Sequence, residues 1–292
     1  MAIKKILITG CSGFIGRNIS ELALLRGYDV VGIDRKPCIV KGVDFRHVDI
    51  IDKKGVTEAA KGVDAVIHLA AITSNIEFEK DLEKCYDINV RGFTNVIEAA
   101  VQNKCQKFLY ASSSAVYLDS FSEDSVIDIK KQRNHYAKTK LINEMVAQSY
   151  EDLYRLRTLG LRFFSVYGNG ENDKGNYASI ISLFFKEKAE GKPITVYGDG
   201  KQTRDMINVS DIAEISLMLM EKGNDMLYNV GTGECVAYNE LAALIGGGNI
   251  KYINNPLSSY QYLTRAETKR LRTVIGGYKF ASSRDWIMKR KE

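Results

Sequence analysis

The 292-residue sequence predicts an α/β fold, a parallel sheet wound on both faces by helices, with a smaller C-terminal part that is discontinuous in sequence. Three observations carry this expectation. Short β-rich apolar runs alternate with longer amphipathic stretches through the first half, as in stacked βαβ units. A Gly-rich turn lies between the first such run and the first helix. Beyond Tyr167 the rhythm breaks into a Gly-, Asn- and Asp-rich loop, Gly168 to Gly175, which marks a change of topology.

Strands are expected at Lys5 to Thr9, Asp29 to Ile33, Asp44 to His47, Ala65 to Leu69 and Lys107 to Ala111, each a compact apolar run bounded by turn residues. Helices fill the gaps. Gly13 to Arg26, Asp81 to Gln102 and His135 to Ser149 carry apolar residues three and four apart, and a strand at Gly160 to Phe164 follows the third. Two later segments, Tyr197 to Ile215 and Met226 to Gly233, read as a return to the sheet. The expected division is therefore 1–166 with about 205–236 for one domain, and about 167–204 with 237–292 for the other.

Composition is that of a folded globular protein, 45% hydrophobic and 26% charged. The excess of 41 Lys and Arg over 36 Asp and Glu is mild and spread along the chain, so no nucleic-acid partner is expected. The basic stretch Arg284 to Lys291 reads as a solvated terminus. Five scattered cysteines, Cys11, Cys38, Cys85, Cys105 and Cys235, form no zinc pattern and read as reduced thiols; no metal is expected. The N-terminal residues run straight into a strand, and no apolar stretch approaches a membrane span. A cytoplasmic protein without membrane contact is the expectation.

Thr9-Gly10-Cys11-Ser12-Gly13-Phe14-Ile15-Gly16 stands where a phosphate-binding turn belongs. Gly10 permits a tight turn, Gly13 lets the backbone approach a pyrophosphate, and Gly16 lets helix and strand pack closely, while N–H groups at the helix start face the anion. The second strand ends at Asp34, whose carboxylate can accept from an adenosine ribose 2′-hydroxyl and would repel a 2′-phosphate. Together these predict a Rossmann-type doubly wound sheet that binds NAD. Arg35 leaves two readings open, a partner for the 2′-phosphate of NADP or a side chain on adenine or in water.

The glycine turn, Asp49-Ile50, His68-Leu69-Ala70-Ala71 and Asn89-Val90-Arg91-Gly92 together resemble the extended short-chain dehydrogenase/reductases that act on nucleotide sugars. The resemblance covers nearly the whole chain. It implies adenine contacts from Asp49 and Ile50, and cofactor diphosphate and ribose contacts from Leu69, Ala70 and Ala71. It also assigns Phe14, Ile15, Asn89 and Phe163 to the cofactor site. On its own residues Asp49 is equally a turn or capping residue.

His135-Tyr136-Ala137-Lys138-Thr139-Lys140 places Tyr136 and Lys140 at i and i+4 on one helix face. A phenol is a poor base at neutral pH unless a nearby positive charge stabilises the phenolate, and Lys140 can supply that charge. The serine cluster Ser112-Ser113-Ser114 follows the fifth strand, at the carboxyl end where the ligands of parallel sheets bind. Aligned with the family's epimerases on Val116-Tyr117, Ser113 becomes the hydroxyl partner of Tyr136 and Ser114 the next candidate. Ser112 reads equally as a turn cap. Leu118 stands where the family usually has glycine. These residues suit transient oxidation, with Tyr136 taking a hydroxyl proton while hydride passes to the nicotinamide.

The family's 4,6-dehydratases follow the serine position with Asp and Glu, whereas this chain has Ser114 and Ala115. Epimerisation is therefore favoured over dehydration, and reduction, which needs the same Tyr and Lys, stays as the rival. Leu161 to Gly168, Val196-Tyr197-Gly198-Asp199-Gly200 and Thr203-Arg204-Asp205 resemble the nucleotide-sugar epimerases. Arg204 is placed on the substrate diphosphate, where a planar guanidinium pairs with phosphate oxygens; the alternative is a surface pair with Asp205 or Asp211. The resemblance further gives Ser74, Ser114, Ser165, Tyr197 and Tyr260 to the substrate, with Ser165 standing where Asn is usual. Lys174 to Ser179 and Tyr260 to Ala266 resemble the ADP-heptose 6-epimerases, in which a lysine matching Lys174 is a second acid–base group; a solvated loop lysine is the other reading.

The expected partner is thus a nucleotide-diphosphate sugar, with UDP-hexose 4-epimerisation as the main reading. ADP-heptose 6-epimerisation and reduction are the alternatives, and a dinucleotide-binding sensor the non-enzymatic one. The resemblance also implies a homodimer through the helices at 81–102 and 135–149.

Overall fold

In the computed structural model, which describes residues 2–118, 121–171, 175, 178–255 and 261–291, burial on both faces of the central strands decides the layers. In β1 (Lys5–Thr9), Ile6 and Ile8 point to one face and Leu7 to the other. Successive side chains of a strand project to opposite faces, so a strand apolar at every position must be covered on both.

The chain continues through α1 (Phe14–Leu25), β2 (Asp29–Asp34), β3 (Asp44–His47), α2 (Lys53–Ala59), β4 (Ala65–His68), α3 (Asn75–Lys80) and α4 (Leu82–Tyr86). A π-helical turn, Asp87–Gly92, leads into α5 (Phe93–Gln102), then come β5 (Lys107–Ser113), a short 3₁₀ turn and α6 (His135–Tyr154). The second half holds β6 (Arg157–Phe163), β7 (Ser165–Tyr167), α7 (Ile180–Ala189), β8 (Ile194–Tyr197), β9 (Thr203–Asn208) and α8 (Val209–Lys222). It ends with β10 (Leu227–Val230), β11 (Cys235–Ala237), α9 (Tyr238–Gly246), β12 (Ile250–Ile253), α10 (Lys269–Ile275) and α11 (Ser283–Lys291).

Seven strands form a parallel sheet in the order β10-β6-β5-β4-β1-β2-β3. The order reverses beside β1, so the crevice at the carboxyl ends of β1 and β4 is the topological switch point where such sheets bind ligands. One face packs against α1, α8 and α10 through Ile19, Ile212, Ile215, Leu219 and Leu271. The other packs against α2 and α5 through Val56, Phe93, Val96 and Ile97. A third apolar cluster, with Tyr167, Phe184, Val196, Met206 and Leu241, gathers around β8 and β9.

The expected strands match closely, with β5 running two residues further to Ser113 and β6 starting earlier at Arg157. The expected helix 81–102 is interrupted by the π turn. Met226 to Gly233 does return to the sheet, as β10 beside β6. Tyr197 to Ile215 does so only through its helix. The place beside β6 belongs to β10, so β9 instead pairs with β7 and β11, and β8 pairs with β12. In β9 Met206 faces the third cluster while Ile207 faces the main core, which makes this strand the bridge between the two.

Candidate active site

The first βα turn is shaped by contacts that exclude side chains. Gly10 has φ +72°, and a Cβ there would stand 2.9 Å from the Ala70 nitrogen. At Gly16 a Cβ would lie 2.0 Å from the Gly10 carbonyl oxygen. Only glycine permits both the left-handed turn and this approach of helix to strand. No side chain caps α1 at Gly13 and no acidic residue lies in its first turn, so the positive end of the helix opens onto the turn. Phe14 and Ile15 form that first turn, with the Phe14 ring buried in the core.

Asp34 reaches across from the end of β2 and accepts from the Ser12 N–H at 3.2 Å and the Lys36 N–H at 2.9 Å. Arg35 points away from the turn toward Asp49, Nε to Oδ2 at 3.9 Å, with its side chain well exposed. Asp49 also closes its own turn, accepting from the Ile51 N–H at 3.1 Å, which is the turn reading of this residue. Ile50 is buried, its side chain filling the space over Gly92. Leu69 and Ala70 donate backbone N–H groups to the Thr9 hydroxyl at 3.2 Å each, which seats the 69–71 segment beside Gly10. Asn89, fully buried in the π turn, accepts from the Ile72 N–H and donates to the Ile72 carbonyl at 2.8 Å each, and donates to Thr139. Its amide therefore clamps the loop after β4. A turn walled by glycines, an uncapped helix start and an acidic residue at the end of β2 fit a dinucleotide.

Ser113 ends β5, in register with Phe163 on β6, and its hydroxyl accepts from the Ala115 N–H at 3.1 Å. α6 begins at Asn134, whose side chain caps the Ala137 N–H at 3.1 Å and aims the first turn, carrying Tyr136, at the end of β5. Burial pushes the Tyr136 phenol up to about 12, and a hydrogen bond with Ser113 pulls the other way. Lys140 donates to the Ala111 carbonyl at 2.8 Å, and its Nζ lies 5.7 Å from the centre of the Tyr136 ring. Burial lowers the Lys140 amine to about 8, against the opposing pull of Glu144. The structure thus brings together Ser113, Tyr136 and Lys140. Ser114 lies in the 3₁₀ turn just beyond. Ser112 turns elsewhere, donating to Glu144 at 2.5 Å.

A cavity of about 260 Å³ is lined by Ser165, Val166, Glu171, Ala178, Ser179, Ile180, Arg204, Met206 and Tyr238. Arg204 lies 5.4 Å over the Tyr238 ring and donates to the Thr203 carbonyl at 2.8 Å. Asp205 is committed to Thr232, Gly233 and Ala266, and Asp211 to Tyr278 and Ala281, so both carboxylates have partners other than this guanidinium. Glu171, buried, accepts from the Ser179 N–H and hydroxyl at 2.7 Å each and so shapes the far wall. Neither Glu171 nor Tyr238 carries a motif that would single it out in the sequence; the fold alone places them beside Arg204. Ser74 caps α3 through the Glu77 N–H. Tyr197 lies in β8, apart from the residues lining this cavity. Lys174 and Tyr260 lie outside the described residues. A second cavity, about 290 Å³, bounded by Met206, Thr232 and residues 278–284, contains none of the expected site residues.

Among the described residues no cluster of His, Cys, Asp or Glu could hold a metal ion, and no helix is long and apolar enough to cross a membrane.

The model of the NAD dependent epimerase/dehydratase family matches residues 6–231. The chain is 34% identical to a UDP-N-acetyl-alpha-D-glucosaminuronate decarboxylase from Bacillus cytotoxicus, over 82% of this chain and 78% of the relative. It is 30% identical to an ADP-L-glycero-D-manno-heptose-6-epimerase from Alkalilimnicola ehrlichii, over 92% and 91%. The solved UDP-glucose 4-epimerase of Thermus thermophilus, in complex with NAD, superposes with a TM-score of 0.85 at 27% identity, covering 97% of this chain and 96% of that one. With the glycine turn, the Ser-Tyr-Lys cluster and a match over most of its length, this chain belongs to the NAD-dependent epimerase/dehydratase family and is an enzyme that takes NAD as its cofactor.

Proposed function

We propose that the enzyme epimerises a nucleotide sugar by transient oxidation, with a UDP-hexose and its C4 hydroxyl as the favoured substrate and position. The convergence of Ser113, Tyr136 and Lys140 at the carboxyl end of β5 carries this reading. NAD, held by the glycine turn, Asp34 and the 69–71 segment, would supply reversible hydride acceptance to the cycle. Ser113 orients the sugar hydroxyl and Tyr136 takes its proton. The Lys140 ammonium favours the phenolate that burial disfavours. Arg204, backed by the Tyr238 ring, holds the diphosphate in paired hydrogen bonds. Ser114 and Ala115 offer no acid–base pair for water elimination, which supports epimerisation over dehydration. Asp34 and the 69–71 segment serve the cofactor, and Asn89 acts on it by holding that segment.

The proposed division assigns 1–166 with about 205–236 to NAD and about 167–204 with 237–292 to the sugar nucleotide. A homodimer through the helical segments 81–102 and 135–149 is part of the proposal, supported by the exposed Leu82 and Met145. A reducing cytoplasm suits the five free cysteines.

Incubation with UDP-glucose, UDP-galactose and ADP-heptose epimers, with NADH absorbance followed, tests the reading. Interconversion of the UDP-hexoses without accumulation of NADH is expected. Conversion of the ADP-heptose alone would move the substrate assignment, and stoichiometric consumption of NADH would replace epimerisation by reduction.

A further inference from the structure

Glu144 lies one helical turn beyond Lys140 on α6, and no step of the proposed reaction uses it. Its side chain is only 9% exposed and its Arg162 partner only 3%. One carboxylate oxygen accepts from the Ser112 hydroxyl at 2.5 Å and from Arg162 Nε at 2.9 Å; the other accepts from Arg162 Nη2 at 2.7 Å. Arg162 also donates to the Tyr117 hydroxyl at 2.8 Å, and that hydroxyl donates to Asn229 on β10 at 2.7 Å. Hydrogen bonds thus run from α6 through β5 and β6 to β10.

Two links in this network adjoin the reacting groups. Ser112 precedes Ser113 on β5, and its register partner on β6 is Arg162 itself. Lys140 and Glu144 are i and i+4 on one helix face. A buried ion pair is weak as a source of stability, because apolar residues of similar volume commonly do as well. Its directional, bidentate bonds do something apolar packing cannot, which is to lock the angle of a helix against two strands. We propose that Glu144, held by Arg162, is the positioning residue of the active site, setting the helix that carries Tyr136 and Lys140 against the strand that carries Ser113 and providing the counter-charge for the Lys140 ammonium.

The groups around the lysine agree with this. From β4, His68 is held neutral, pushed down to about 3 by burial and by Lys140 itself. From β5 come the Ala111 carbonyl and Tyr110, whose phenol burial keeps well above its ordinary range. From β6 comes Arg162, bound to the carboxylate. On α6 the Tyr136 phenol is neutral until it reacts. Glu144 is the group that raises the Lys140 amine against its burial.

This inference rests on the catalytic roles proposed for Ser113, Tyr136 and Lys140, so its test has one arm that needs no substrate. In NAD-loaded enzyme with ¹³C-labelled lysine, the Lys140 Cε signal, identified by its loss in Lys140→Met, is titrated by NMR. The double variant Glu144→Gln/Arg162→Gln removes both charges without stranding either one. Its Lys140 midpoint should move to lower pH than in the native enzyme. With substrate, its kcat should fall on the order of tenfold, as expected for misplaced reacting groups, with KM little changed. Ser112→Ala, which removes only the strand contact, should lower kcat several-fold and leave the Lys140 midpoint in place. A folded double variant whose midpoint is unmoved, or unchanged kcat in the two variants, overturns the proposal; if the double variant does not fold, kcat of Ser112→Ala decides. Absence of sugar interconversion by the native enzyme would instead overturn the epimerase reading, and the titration would still decide Glu144.

Discussion

The Lys140 ammonium lies 5.7 Å from the centre of the Tyr136 ring and is fixed there by a 2.8 Å hydrogen bond to the Ala111 carbonyl. Burial disfavours the charged form of both groups: it raises the phenol to about 12 and lowers the amine to about 8. The charged form of each is costly alone and favoured by the other.

Replacement of Tyr136 by Phe keeps the ring and its edge contact with Phe78 but removes the proton acceptor. Turnover should fall by roughly 10²-fold or more while NAD binding, followed by calorimetry, stays intact. Near-native turnover would remove Tyr136 from the reaction.

Asp34 presents its carboxylate beside the glycine turn, and Arg35 is drawn off toward Asp49. NAD should therefore bind at least about tenfold tighter than NADP, since the carboxylate repels a 2′-phosphate. Fluorescence titration of both nucleotides measures this, and equal or reversed affinity would show that Arg35 turns back to receive the phosphate.

Truncation of Arg204 to Ala should raise KM for the nucleotide sugar with little change in kcat, because the cavity that the guanidinium lines includes none of Ser113, Tyr136 and Lys140. Loss of charge-assisted bonds to a phosphate is worth about 2 kcal/mol, roughly 30-fold in KM. A kcat effect at constant KM would argue that the cavity beside Tyr238 is not the diphosphate site.

His68 gives the fold an acid sensitivity. The Thr9 hydroxyl accepts from the Leu69 and Ala70 N–H groups and so donates its own proton to His68 Nδ1 at 2.8 Å, which leaves the imidazole proton on Nε2. Burial lowers this histidine from 6.5 to about 3. The unfolded chain binds a proton there below pH 6.5 and the folded chain does not until about 3, so stability falls across that window as pH drops. In His68→Gln the fall in melting temperature over the same window should be shallower. Parallel curves for the two proteins would assign the acid loss to other groups.

The sequence by itself determined the sheet, the glycine turn and the Tyr136–Lys140 spacing, because each is a local property. Strand alternation, the turn glycines and the i, i+4 geometry of a helix need no distant partner to be read. Tertiary structure decided what depends on residues far apart in the chain. Ser113 was picked out as the partner of Tyr136 by its motif, but the sequence read Ser112 as a possible turn cap, and only the tertiary structure shows its hydroxyl bound to the buried Glu144 on α6. β9 lies outside the main sheet, between β7 and β11, and β10, which follows it in sequence, has the place beside β6. Glu171 and Tyr238 reach the cavity around Arg204 only when the later strands pack together. Asn89 was visible as part of a motif, yet its amide serves Ile72, a contact that exists only once the π turn and the loop after β4 are brought together.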